Sequence, residues 1–61
     1  MLKLPQNVDI DLNGIDKNKC QWTIVTEYLK NKYGYSLRAF SAQMDPENNV
    51  LKVSGIIWNI N

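Results

Sequence analysis

The stretch from Val50 to Ile60, VLKVSGIIWNI, constrains the fold of this chain more than any other. A run so rich in β-branched and aromatic residues reads as a strand that must be covered on at least one face. Its alternation contains a fault. Leu51 and Val53 share one face of a regular strand, whereas Ile56, Trp58 and Ile60 fall on the other. One extra residue at Ser54-Gly55, a β-bulge, would bring all five to the same side. If the strand runs straight, Ile56, Trp58 and Ile60 instead form an apolar patch that another subunit or a partner must cover.

The strand that pairs with this run is Ser36 to Met44, returned by the turn Asp45-Pro46-Glu47-Asn48-Asn49. Asp at the first turn position and Pro at the second suit a type I turn, and Asn tolerates the positive φ that often follows. A four-residue loop sets Met44 against Leu51 and Ala42 against Val53. Beyond the bulge, Phe40 is then expected to meet Ile56, and Arg38 to lie over the indole of Trp58.

Upstream, the even positions from Leu2 to Leu12 are mostly apolar and the odd ones polar, the period of a half-buried strand. Pro5 places its first part at a sheet edge or before pairing begins, because proline has no amide to donate. Asn13-Gly14 reads as a turn and Asp16 as the cap of a helix, with Ile15 and Cys20 packing as a staple. The helix is predicted over about Lys17 to Tyr33. Gln21, Val25, Tyr28, Leu29 and Lys32 form its inner stripe, with Trp22 and Ile24 on its flanks. Gly34 is expected to end it in the left-handed conformation, with Tyr35 folding back toward Leu29. The order strand, helix, strand, strand predicts a single α+β domain over residues 1–61, one helix on a three-stranded antiparallel sheet of order 1-3-2.

At 61 residues the core is small, so very good packing or oligomerisation is expected to support it. The 44% apolar content argues against disorder, and the net charge of +1 against a strong general pull toward nucleic acid or anionic membranes. With no histidine and only Cys20, neither a Cys-His pair, an internal disulfide nor the usual zinc sets can form. Cys20 is expected to be a small core residue. The glycines are isolated, so no phosphate-cradling loop is present, and Asp9 with Asp11 and Asp45 with Glu47 are exposed acids poorly suited to proton transfer. Asp9-Ile-Asp11-Leu-Asn13-Gly14 begins like a calcium loop, but the position of the bidentate Glu is Cys20. No catalytic residue, metal or cofactor is assigned, and the chain is read as not an enzyme. The N-terminal stretch lacks the pattern of a signal peptide and no stretch is long and apolar enough to span a membrane, so a cytoplasmic location is expected. Eight asparagines with many Lys and Ile suit an AT-rich coding genome, such as that of a low-GC bacterium or a phage.

The order of elements is similar to that of two families of small oligomers. In the oxalocrotonate tautomerases the base is an N-terminal proline, whereas here Leu2 follows Met1 and Pro5 is internal. In the dodecins, which hold flavin between subunits with a tryptophan, Trp58 would be the counterpart. Both resemblances concern the fold alone.

The leading expectation is a small non-enzymatic interaction protein, a regulator or inhibitor that binds another protein and forms a homodimer, with Ile56, Ile57, Trp58 and Ile60 as partner-binding residues. One alternative is a weak single-stranded nucleic-acid binder using Lys30, Lys32, Tyr33, Tyr35 and Arg38, a segment that interleaves base and aromatic. The other is an oligomeric small-molecule binder with Trp58 in its pocket.

Overall fold

The computed structural model describes residues 3–60, with elements in the order β1 (Val8–Asp11), α1 (Gln21–Tyr33), β2 (Ser36–Asp45) and β3 (Val50–Asn59). β3 lies at the centre of the sheet, antiparallel to both neighbours, so the order is β1-β3-β2. Helix α1 covers one face. This is the α+β arrangement expected from the sequence, with the most apolar strand in the middle. Leu2, where the predicted alternation begins, lies outside the described residues.

The hairpin loop is Pro46 to Asn49, because Asp45 pairs with Val50. The side-chain amide of Asn48 donates to Asp45 Oδ2 at 2.9 Å, and Asn49 takes the positive φ of 54°. That hydrogen bond, with a smaller contribution from nearby Lys52, holds the Asp45 carboxyl below its ordinary pKa. Met44 faces Leu51 and Ala42 faces Val53, as the loop length predicts.

Farther along, the register slips twice. Between the pairs Ser41–Ser54 and Ala39–Ile57, β3 carries an extra residue, and Gly55 there adopts φ 60°. This is the bulge predicted at Ser54-Gly55. Between Ala39–Ile57 and Leu37–Trp58, β2 carries an extra residue of its own, which the sequence reading missed. The two slips cancel. Leu37, which is buried, therefore opposes Trp58, and the expected placement of Arg38 over the indole is corrected. The reason is visible in β2 itself: its core-packed residues are Leu37, then Phe40 and Ala42, a change of parity that matches the one in β3.

Leu51, Val53 and Ile56 are buried and Trp58 is half-buried against the core, whereas Ile60 is exposed beyond the end of β3. Ile10 and Leu12 close the core from one side, and Val25 and Leu29 cover it from α1. The segment before β1 continues along β3. The amide of Ile56 donates to the Gln6 carbonyl at 3.1 Å, and Trp58 Nε1 donates to the Pro5 carbonyl at 2.8 Å. Pro5 thus supplies only an acceptor, as its chemistry requires.

The helix begins four residues later than predicted. Asp16 Oδ1 accepts from the Asn18 amide at 2.9 Å, and the Lys19 amide reaches the Asp16 carbonyl at 3.3 Å, which makes one isolated turn. Asp side chains favour such local turns over continued helix. Cys20 is extended, with φ −72° and ψ 158°, and stands at the N-cap; it is exposed, so its expected place in the core is corrected. Gly34 ends α1 in the left-handed conformation, and its amide donates to the Lys30 carbonyl at 2.8 Å.

Candidate interaction surface

The two edges of the sheet differ in how far they are shielded from further pairing. β1 is four residues long, carries Asp9 and Asp11 on its water-facing side, and follows Pro5. Short length, charge and proline are the usual protections of an edge. β2 is ten residues long and contains no proline. Its first part is interrupted by the bulge and by Arg38, but from Ser41 to Asp45 it pairs regularly with β3 and its other side lies open. Among the described residues, no backbone hydrogen bond outside the sheet involves this strand.

An apolar row accompanies that open edge. Ala42 and Met44 point to the helix side of the sheet, as their partners Val53 and Leu51 do, and Phe40 is packed on the same side. Trp22, in the first turn of α1, stacks on Phe40 with ring centroids 5.4 Å apart and planes 19° apart. Yet Trp22 remains 49% exposed and Met44 47%. Met44 also forms one wall of an open cleft of about 270 Å³, whose floor includes Leu12, Ile24 and Leu51, with Lys17 and Lys19 at its rim. This cleft borders the turns that stand where the sequence predicts the start of the helix. Lys19 is engaged by Glu27 at 3.0 Å.

The residues proposed from sequence as a partner surface are divided by the bulge. Ile56 is only 4% exposed and belongs to the core, so it is not available as a surface. Trp58 is half-buried, bonded to Pro5 and met edge-on by Tyr33 at 5.7 Å. Ile57, 54% exposed, and Ile60 do lie at the surface. Ile57 stands on the sheet face away from α1, beside Ala39.

In the basic and aromatic segment, Lys32 Nζ lies 5.5 Å and 5.8 Å from the ring centroids of Tyr28 and Tyr33. Tyr33 and Tyr35 are half-buried, Lys30 Nζ lies 3.4 Å from Ser36 Oγ, and Arg38 is exposed on β2. Tyr28 and Tyr33 thus pack against the core of the chain. Among the described residues, no group of three or more His, Cys, Asp or Glu side chains gathers as a metal set would, and no helix is long and apolar enough to cross a membrane.

Cys20 Sγ lies 3.1 Å from Thr23 Oγ1. Hydrogen bonding to the Thr23 hydroxyl, with amides of the first helical turn adding to it, lowers the Cys20 thiol from its ordinary pKa. A lowered pKa means more thiolate at neutral pH. Alkylation of Cys20 by iodoacetamide is expected to reach half its limiting rate at a lower pH than a cysteine in a short unstructured peptide. Thr23→Val should move that profile upward, and identical profiles for the protein and its T23V variant would refute the assignment.

The sequence leads to association through the uncovered sheet face or a strand edge, and hydrophobicity alone does not state that the β2 edge is the open one. The signal that could have found it is the predicted strand order, which leaves β2 outermost, together with its lack of proline. No protein-family model, curated protein or solved structure matches this chain.

Proposed function

We propose that this chain is a small non-enzymatic interaction protein of the cytoplasm, a regulator or inhibitor that works by binding another protein and by self-association. The observation that carries this reading is the open edge of β2 with its exposed apolar row. An unpaired strand edge offers backbone donors and acceptors to any extended segment, and the side chains beside it select which one. Phe40, Met44 and Trp22 provide those selecting side chains here.

The test is capture from a lysate of the native host on the immobilised chain, beside a Met44→Lys variant. The half-exposed Met44 can be changed without emptying the core. Stoichiometric retention of one host protein, lost in M44K, is the expected result. A chain that retains nothing and sediments as a monomer at millimolar concentration overturns the reading.

A further inference from the structure

The side chains along the open edge of β2 themselves state what would fit it. We propose that its occupant is a second copy of this chain. Two copies of β2 pair antiparallel about a two-fold axis at Ala42 and continue the sheet as β1-β3-β2-β2-β3-β1. The inference rests on the interaction reading above and names the partner within it.

A perpendicular two-fold preserves the faces of both sheets, so each residue must oppose one of the same parity. Ala42 then opposes Ala42, a small side chain where two identical ones meet. On the helix side Phe40 opposes Met44 of the other copy, and this contact occurs twice, pairing an aromatic ring with a thioether. Trp22, stacked on Phe40 and half-exposed in the single chain, flanks each contact. On the outer side Ser41 opposes Gln43, two polar residues that stay wet.

Charge agrees with this direction of pairing. β2 carries only two charges, Arg38 near its start and Asp45 at its end. Antiparallel pairing sets Ala39 against Asp45 and brings each Arg38 beside the Asp45 of the other copy, whereas parallel pairing in register would set like charges together. The regular stretch from Ser41 to Asp45 contains the axis, and the bulge near Arg38 ends the pairing on either side.

Sedimentation of the full chain tests this, with two double variants on the outer side of the edge. The wild type is expected at twice its 7.1 kDa mass. In S41K/Q43K the proposed register sets lysine against lysine twice, and dimerisation should weaken by about a hundredfold or more. In S41K/Q43E it sets lysine against glutamate twice, and the dimer should remain. A wild-type monomer at millimolar concentration overturns the dimer, and if a host protein is still captured the interaction reading survives it. A dimer that S41K/Q43K leaves intact, or that S41K/Q43E abolishes, overturns this interface and register while leaving self-association in place. Should S41K/Q43K fail to fold, the C20S/A42C chain decides. Cysteines facing each other across an antiparallel pair are within disulfide reach, so oxidation should yield a cross-linked dimer, and its absence overturns the proposal.

Discussion

Truncating Ile56 to alanine is expected to lower stability by about 2–4 kcal/mol, whereas the same change at Ile57 should move it by less than about 0.5 kcal/mol. The two residues are adjacent and have the same side chain, so only their placement separates them. Ile56 is 4% exposed and packed with Leu51 and Val53, while Ile57 points to water on the opposite face. In a regular strand with Leu51 and Val53 inward, Ile57 would be the buried one of the pair. The extra residue at Gly55 exchanges them. Urea unfolding followed by tryptophan fluorescence measures the difference. The I56A midpoint should fall by about 2 M, given a slope near 1–2 kcal/mol per molar for a chain of this size. Equal losses in I56A and I57A, or a larger loss in I57A, would mean that the strand runs straight.

Leu29→Ala should have an effect at least as large, about 3–4 kcal/mol. Leu29 is fully buried and sits with Val25 on the inner stripe of a helix of 13 residues. A helix this short is marginal alone in water, so its docking on the sheet is what holds it. Globular domains have about 0.05–0.15 kcal/mol of stability per residue, roughly 3–9 kcal/mol for this chain. Losing Leu29 therefore removes a third or more of the total, and the helical far-ultraviolet signal is expected to melt well below that of the wild type. Trp22→Ala is the contrasting variant. Its ring is half-exposed and touches the domain through Phe40, so its loss should cost about 1 kcal/mol. A Leu29→Ala chain as stable as Trp22→Ala would show that α1 is not docked through this stripe.

The predicted bulge and the late helix start show where sequence reasoning succeeds and where it stops. The bulge was legible because burial and strand parity are both written in residue types: Leu51 and Val53 on one side, Ile56 and Trp58 on the other, with glycine at the break. The compensating slip in β2 was also written there, in Leu37 against Phe40 and Ala42, but two strands must be read together to see it. The helix start was misplaced because Asp16 binds the Asn18 amide equally well in one turn or in the first turn of a helix. Whether the chain continues as helix depends on what the next residues can pack against, and Lys17, Asn18 and Lys19 all face water.

The candidate site was the least legible part. Hydrophobicity pointed to Ile56, Trp58 and Ile60, and the fold used Ile56 for its own core. An edge is a property of strand order, and local sequence does not state which backbone groups a neighbouring strand will satisfy.

By itself, the sequence determined the α+β class, the central place of Val50 to Asn59, the four-residue hairpin loop, the bulge at Ser54-Gly55 and the helix end at Gly34. Each follows from local chemistry: side-chain period, turn residues, and the freedom of glycine at positive φ. Only the tertiary structure decided that Cys20 is exposed, that Leu37 rather than Arg38 meets Trp58, and that the regular half of β2 is left open beside Phe40 and Met44. Those outcomes depend on which distant segments come together, and pairing between strands is settled by the register of the whole sheet.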